Sequence, residues 1–383
     1  MVKRLLFISL LTLATLPSSG QKSRVLSVFQ MIESEKYEEA KEAIELAVWN
    51  DKTVKWHRTY YAKGLLCQKA FEAGFEKNET KKINLYPNQL IEGYNAYEKA
   101  LELDSRGRIS STIALHYYAL ANDFQKLGER HYLRKEYSKA LDAFEHALLV
   151  SNSPMLSVET DTNLVYNTAV AAFESKNWEK AISYLTGLND DGYSSNSTLL
   201  LYTAHVNNGD SQQGEKVLME GIDRYGSDEA IVLQLIDLLV DSNRMEQAIV
   251  TLDTAAVRHP DNFHFPWTRG LVFQRMNRYD EAIESLLLAI ELAPGEQGIY
   301  YNLGICYYNQ GVEINESAQQ IRNNAEYQSA RKKALDQFRE AVKWFEKAHN
   351  LDPGEQQTIS KLYQLYYWLQ MTEKQKNIEL LIR

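Results

Sequence analysis

Apolar residues recur every three or four positions through most of the chain, which is the period of one face of an α-helix. The pattern is clearest over 263–296, where two amphipathic stretches flank a short turn at 276–278 and the second stretch stops at Pro294. One face of the second stretch carries apolar and small residues: Tyr279, Ala282, Leu286 and Ala289. The pattern therefore predicts two helices that pack against each other. A unit of this size needs neighbouring units to bury its apolar face.

The same arrangement recurs along the chain at intervals of about 34 residues. One such interval separates Pro260 from Pro294, and the same interval separates Ala248 from Ala282. Second helices repeat a small residue at one position: Ala40, Gly93, Ala140, Ala181, Gly214, Ala248, Ala282 and Ala341. First helices do the same: Gly64, Gly128, Ala169, Gly270 and Gly304. Small residues let two helices approach closely, so this recurrence predicts a tandem array of helical hairpins.

This order of small, aromatic and proline positions resembles the tetratricopeptide repeat (TPR), a helix–turn–helix unit of about 34 residues. The resemblance implies an all-α fold. The expected architecture is an α-α superhelix, or TPR solenoid, of about eight helix–turn–helix repeats followed by a C-terminal capping helix. The predicted repeats span 21–54, 57–107, 121–154, 162–194, 195–228, 229–262, 263–296 and 297–355, and the cap spans 356–383.

Two of the predicted repeats are too long for this unit. Extra residues lie at about 70–86 in the second repeat and at about 312–325 in the eighth, and we expect both insertions to project as longer hairpins. Residues 108–135 keep helical periodicity beyond the length of one repeat helix and predict an extended first helix in the third repeat. The polar stretch 189–196, NDDGYSSN, predicts a loop that acts as a hinge or boundary.

Residues 1–20 have the composition of a secretory signal peptide. Lys3 and Arg4 precede a mostly apolar stretch at 5–16 that is too short to span a bilayer, and small residues precede the expected cleavage site. We therefore expect an exported, periplasmic protein that is not an integral membrane protein after signal cleavage. The alternative is an ordinary buried first helix. The formal net charge of −9 argues against a nucleic-acid partner.

Catalytic and cofactor-binding motifs are not found in the sequence. It contains no His-Glu-x-x-His, Cys-x-x-Cys, Gly-x-Ser-x-Gly or glycine-rich phosphate loop. His259 and His264 flank a loop that contains Pro260, which is a poor setting for a metal site. Cys67 and Cys306 fall inside first helices, where we expect them to be small buried residues. We therefore expect no catalytic residue, no metal, no cofactor and no enzymatic activity.

The first helices of TPR proteins line a concave groove that holds extended peptides or partner helices, and the resemblance implies this role for first-helix residues outside the packing stripe. The candidate ligand- or peptide-binding residues are Tyr166, Asn167, Phe173, Trp267, Arg275, Tyr301, Asn302, Tyr308, Asn309 and Trp368. Aromatic side chains supply contact area at a low cost in entropy, and a carboxamide both donates to and accepts from a peptide backbone. The alternative for each aromatic residue is packing between adjacent helices.

Two asparagines occupy equivalent positions in different repeats, Asn167 and Asn302. TPR proteins that hold extended peptides use such asparagines as a ladder. The ladder is interrupted here, because the intervening positions hold Leu200, Gln234 and Thr268. We predict a non-catalytic protein- or peptide-binding scaffold whose partner lies in the groove. The alternative is binding of a glycan or another small molecule in the same aromatic- and Asn-lined groove.

Overall fold

The computed structural model describes residues 18–156 and 158–382. Most of the predicted signal segment, at 1–17, lies outside these described residues. The described chain consists of α-helices joined by short connections and contains no β-strand, so the predicted all-α fold is confirmed. The chain divides into two compact units, which we call unit one (Met1–Asp191) and unit two (Gly192–Arg383). The division falls inside the polar stretch 189–196.

Unit one is an array of helical hairpins with one short additional helix. Its described helices are α1 (Ser18–Glu33), α2 (Tyr37–Val48), α3 (His57–Lys77), α4 (Thr80–Ile83), α5 (Gln89–Leu103), α6 (Ser110–Leu133), α7 (Tyr137–Ser151), α8 (Thr162–Glu174) and α9 (Trp178–Asp190). The hairpins are α1–α2, α3–α5, α6–α7 and α8–α9, and each packs against the next. We call the leading member of each hairpin its first helix. The expected extension of the third first helix is present, because α6 has 24 residues.

Unit two continues the same alternation. Its described helices are α10 (Ser195–Asn207), α11 (Ser211–Arg224), α12 (Glu229–Asp241), α13 (Met245–Arg258), α14 (His264–Arg275), α15 (Tyr279–Leu292), α16 (Gln297–Ala318), α17 (Asn324–Leu351), α18 (Gln356–Trp368) and α19 (Thr372–Glu379). The hairpins are α10–α11, α12–α13, α14–α15, α16–α17 and α18–α19. First helices also contact one another directly, α10 with α12 and α14 with α16. They therefore lie side by side in unit two.

Close packing within hairpins comes from a small residue on one helix and a large one on the other. A Cβ added to Gly64 would lie 2.6 Å from the ring of Tyr97, and one added to Gly304 would lie 2.8 Å from the ring of Phe345. Gly270 has the same relation to Leu286, at 2.7 Å. The small positions that recur from repeat to repeat are thus contact points between paired helices.

Seven hairpins share one turn geometry that the sequence pattern does not reveal. In each, the second residue after the first helix is left-handed and the N–H of the residue after it donates back to the helix. For example, Asn277 has φ 59° and the Arg278 N–H donates to the Phe273 carbonyl at 2.9 Å. This is the Schellman motif, which satisfies the last carbonyls of a helix. The left-handed residues are Glu35, Lys135, Lys176, Gly209, Asn243, Asn277 and Gln370. The shared turn gives these seven hairpins the same three-residue connection between their two helices.

The two insertions differ in form. Residues 70–86 lengthen α3 and fold back through α4, and they pack into unit one instead of projecting from it, because Phe71, Leu85 and Tyr86 are buried. The insertion at 312–325 lengthens α16 and α17 as a continued helix pair. Gly311 lies against Phe338 along this pair, and the residues near its tip are mostly exposed. The expected projection is thus met only by the second insertion.

Candidate functional site

Two of the predicted residues in unit one line an open pocket. Tyr166 and Asn167 of α8 lie on a cavity of about 440 Å³ that α6 and α7 complete. The Asn167 carboxamide makes no hydrogen bond to another described residue. Phe173, the third predicted residue, instead packs edge-on against Trp178 at 5.3 Å, with an interplanar angle of 76°. Phe173 therefore contributes to the packing of its own hairpin.

The rest of this pocket comes from residues that the sequence analysis did not select. It is lined by Glu129, Tyr132, Leu133, Phe144 and Val170 in addition to the two predicted side chains. Leu133 is 84% exposed although it is a large apolar side chain. A signal was present, since Leu133 lies off the apolar stripe of α6. Residues near the C-terminal end of the long helix α6 lie beside α8 and line the pocket. The sequence predicts that α6 is long, but it does not predict which residues of α6 lie beside α8.

Unit two holds the other seven predicted residues, on first helices that lie side by side. We call the partly exposed side of these helices the first-helix face. It consists of Gln234, Asp237 and Asp241 on α12, Trp267, Leu271 and Arg275 on α14, Tyr301, Asn302, Tyr308 and Asn309 on α16, and Lys361 and Trp368 on α18. The spacing of the repeats puts Asp241, Arg275 and Asn309 at one repeat position and Trp267 and Tyr301 at another.

Trp267 is mainly a packing residue. Its ring stacks on Phe263 and His264, with ring centroids 6.1 and 6.2 Å away, and a Cβ added to Gly298 would lie 2.9 Å from it. Its buried indole N–H finds no acceptor among the described residues. Trp267 therefore joins α14 to the start of α16 and exposes only part of its surface.

Tyr301 and Asn302 follow on α16. Tyr301 packs against Phe345 with ring centroids 5.5 Å apart, and partial burial raises the pKa of its hydroxyl. Asn302 is half-buried, and its carboxamide makes no hydrogen bond to another described residue. Asn309, further along the same helix, instead bonds to Tyr279. Of the two predicted carboxamides on α16, only that of Asn302 is free to bind a ligand.

The tightest aromatic grouping joins α16, α17 and α18. Tyr308 stacks on Trp368 at 6.0 Å with an interplanar angle of 13°, and Phe338 contacts both rings. Trp368 remains 41% exposed. The Lys361 ammonium lies 4.2 Å from the centre of the Tyr308 ring, and burial lowers the pKa of this ammonium. Lys361 was not selected from the sequence, although it is the only charged residue of α18.

Charges on the first-helix face are few and unpaired. Asp237 and Asp241 lie one turn apart on α12, and partial burial together with the charge of Asp241 raises the pKa of Asp237. Arg275 is exposed on the next first helix. Within the described residues, none of these three side chains nor Lys361 forms an ion pair. A ligand on this face would therefore meet uncompensated charges.

A second polar cluster lies inside unit one. Gln68 donates to Asp123 at 3.3 Å and accepts from the Tyr97 hydroxyl at 2.9 Å, while the Tyr61 hydroxyl and the His116 ring are 3.0 Å apart. Burial and the nearby Glu72 carboxylate raise the pKa of Asp123 to about 7. This cluster is internal to the contact between α3, α5 and α6, and its polar groups satisfy one another.

Neither a metal-binding cluster nor a membrane span was found among the described residues. No group of three or more His, Cys, Asp or Glu side chains there is arranged to hold an ion. Likewise, none of the described helices combines the length and apolarity needed to cross a bilayer.

Comparison with known proteins assigns part of unit two to a family. Residues 233–297 and 268–311 match the family model described as Tetratricopeptide repeat. These overlapping segments contain six of the predicted residues: Trp267, Arg275, Tyr301, Asn302, Tyr308 and Asn309. No curated protein matches the chain. The other hairpins repeat the helix–turn–helix arrangement of the matched segments, so the all-α array is of the TPR type.

Several solved structures resemble the chain at low identity. A TPR repeats protein from Bacteroides fragilis NCTC 9343 is 19% identical, covers 65% of this chain and 98% of its own, and gives a TM-score of 0.35. MamA (41-end) from Desulfovibrio magneticus RS-1 is 17% identical, covers 49% of this chain and 94% of its own, and gives a TM-score of 0.36.

Proposed function

We propose that the protein is a non-catalytic scaffold that binds a protein or peptide partner on the first-helix face of unit two. One observation carries the proposal: the Asn302 carboxamide has no partner within the described chain, and it lies on a face with partly exposed Tyr301, Tyr308 and Trp368. A free carboxamide can both donate to and accept from a peptide backbone. The neighbouring rings offer rigid apolar contact area.

The pocket of unit one is a second proposed binding site. Asn167 there has the same repeat position and the same free carboxamide as Asn302, and Tyr166 lies beside it. Side chains that could perform a reaction are not grouped at either site, so the proposal includes no catalytic step and no cofactor.

The proposed function also includes a cellular compartment. Basic, apolar and small residues occur in the order of a signal peptide over 1–20, so we propose export to a periplasmic space. The negative net charge makes nucleic acid a poor candidate for the partner. Cleavage at about residue 20 is checked by the N-terminal sequence of the purified mature protein.

A matched pair of substitutions tests the binding face. Leu271 on α14 and Leu287 on α15 belong to one hairpin and are both 37% exposed, but only Leu271 lies on the first-helix face. Affinity capture from native extract is performed with wild type, Leu271→Glu and Leu287→Glu. We expect a partner that wild type and Leu287→Glu retain and that Leu271→Glu loses. Equal retention by both variants would contradict the proposal.

Glycan binding is the alternative, and the exposed part of Trp368 favours it. An indole stacked on Tyr308 and still 41% exposed offers an apolar edge of the kind that also suits a sugar ring. Thermal stabilisation measured with an oligosaccharide panel and with a peptide panel separates the two functions. A shift with oligosaccharides alone, lost in Trp368→Ala, would replace the peptide proposal.

A further inference from the structure

The first helices of unit two carry few charged side chains, and most of these are paired or lie away from the first-helix face. Helix α10 has no Asp, Glu, Lys or Arg, and α18 has only Lys361. On α12 and α14, Glu229 faces His264 at 3.7 Å and Arg269 pairs with Asp253 at 2.9 Å. The two acidic residues of α16, Glu313 and Glu316, lie on its extension toward the second insertion.

Four charged side chains of the first-helix face form no ion pair with another described residue. Two carboxylates, Asp237 and Asp241, lie on α12. Two cations follow, Arg275 on α14 and Lys361 on α18. Between Arg275 and Lys361 the first helices present only uncharged aromatic and carboxamide side chains on this face, and one carboxylate, that of Glu355 at the start of α18, lies near Tyr301. The face is therefore negative at α12 and positive toward α18.

Lys361, at the positive end of the face, is held in place by its neighbours. Lys361 is half-buried and its ammonium lies over the Tyr308 ring, which also stacks on Trp368. A cation held in a partly desolvated place without a carboxylate gains most from a partner anion, because screening by water is weaker there. The adjacent rings would contact an apolar side chain of the same partner.

We infer that the partner is an extended peptide segment with a basic side chain that meets Asp237 and Asp241 and a carboxylate that meets Lys361. This inference rests on the function proposed above and names the chemical class of the ligand. The spacing follows from the helices: three steps of about 8–10 Å between neighbouring helices give about 24–30 Å. An extended chain covers this distance in about eight residues, at about 3.3–3.6 Å per residue.

The probe is an array of synthetic 15-residue peptides with an uncharged Leu, Tyr, Asn and Gly background. One lysine and one glutamate are placed at separations of two to twelve residues, in both orders, and norleucine or glutamine replaces either charge in matched peptides. The full mature chain is tested. We expect the strongest binding at separations of about seven to ten residues and in one order only.

Charge-removing variants then assign the ends by fluorescence polarisation. Asp237→Asn combined with Asp241→Asn is expected to weaken the lysine peptide about tenfold and the norleucine peptide by less than twofold. Lys361→Met should have the same selective effect on the glutamate end. Asp223→Asn on α11 and Lys332→Met on α17 remove the same kinds of charge at exposed positions outside the first helices and serve as controls, and we expect no change with either.

The outcomes separate this inference from the proposed function. Peptides that bind, lose binding in Leu271→Glu and show no preference for charge would overturn the inference and leave the scaffold function standing. Preference for the opposite charges, or equal losses with charged and uncharged peptides, would also overturn it. Absence of binding by every peptide of the array would contradict both.

Discussion

Gly128 of α6 has no room for a side chain because the ring of Phe144 on α7 lies against it. A Cβ added to Gly128 would be 2.6 Å from the Cδ1 and Cε1 atoms of that ring. The pair brings the first and second helices of the hairpin together, and Gly64 with Tyr97 does the same in the preceding hairpin. The glycine therefore acts by allowing close approach and not by its backbone freedom.

Replacing this glycine should destabilise the protein. We expect Gly128→Ala to lower the free energy of unfolding by about 1–2 kcal/mol, because overpacking costs about 1–3 kcal/mol and the gain in helix propensity is about 1 kcal/mol at most. Urea denaturation measures the effect. The control is Gly187→Ala in α9, where an added Cβ meets no atom within 4 Å; we expect it to stabilise by about 0.5–1 kcal/mol. Similar effects at both positions would refute the packing role.

The shared turn makes a second prediction. Lys135 has φ 59°, a conformation that costs a side-chain-bearing residue about 1–2 kcal/mol. Lys135→Gly should therefore raise the free energy of unfolding, by about 0.5–1 kcal/mol after the greater entropy of the unfolded glycine is counted. Lys139→Gly, in the neighbouring α7, should lower it by about 1 kcal/mol. If both variants are destabilised alike, the left-handed conformation carries no strain.

The sequence predicts the helices of this protein better than its surface. Positions such as Ala282 and Gly304 recur from repeat to repeat because each must fit against a partner helix, so pattern alone identifies them. The left-handed conformation of Lys135 could not be predicted, because lysine has no preference for a positive φ. The prediction that 70–86 projects was wrong. This stretch is rich in charged residues, which suggests exposure, but its residues Leu85 and Tyr86 are buried.

For the candidate site, the sequence predicts which residues share a helix face, but not how the side chains of different helices contact one another. Asn302 and Tyr308 lie on one helix face because their spacing is helical, and the sequence shows this. The association of Tyr308 with Trp368 and Lys361 depends on how α16 and α18 pack, which no local pattern contains. Phe173 was selected by the same spacing and proved to pack within its hairpin, because an aromatic residue at such a position serves either purpose.

The buried carboxyl group of Asp123 predicts a pH dependence of stability. Asp123 is 3% exposed, and its pKa is raised to about 7 against about 3.9 in an unfolded chain. Between these values the folded state binds more protons than the unfolded state, so stability falls as pH rises from about 4 to about 7. The loss is at most on the order of 4 kcal/mol. Burial lowers the pKa of the nearby His116, whose contribution has the opposite sign.

Asp123→Asn isolates this contribution because it keeps an acceptor for Gln68 and removes the titration. Unfolding free energies of wild type and variant are measured by urea denaturation from pH 4 to pH 8. We expect the variant to become more stable relative to wild type as pH rises across this range. Asp51→Asn, at an exposed position, serves as the control and should follow wild type. A constant difference between wild type and Asp123→Asn would contradict the prediction.

The two thiols should be unreactive in the folded protein. Burial raises the pKa of Cys67 and of Cys306 to about 12. Because the thiolate is the reacting species, we expect modification by Ellman's reagent at pH 8 to be about a thousandfold slower than in the denatured chain. Cys67→Ala and Cys306→Ala assign each phase. Rapid reaction of either thiol in the native protein would show that its helix pair opens readily.

The central claim is that the first-helix face of unit two binds the partner, and site-specific cross-linking tests it most directly. A photoreactive benzoylphenylalanine is placed at Leu271 or at Leu287, which are equally exposed and belong to the same hairpin. After irradiation of the mature protein in native extract, we predict a discrete protein adduct from position 271 and none from position 287. Adducts of equal yield from both positions, or from position 287 alone, would contradict the claim.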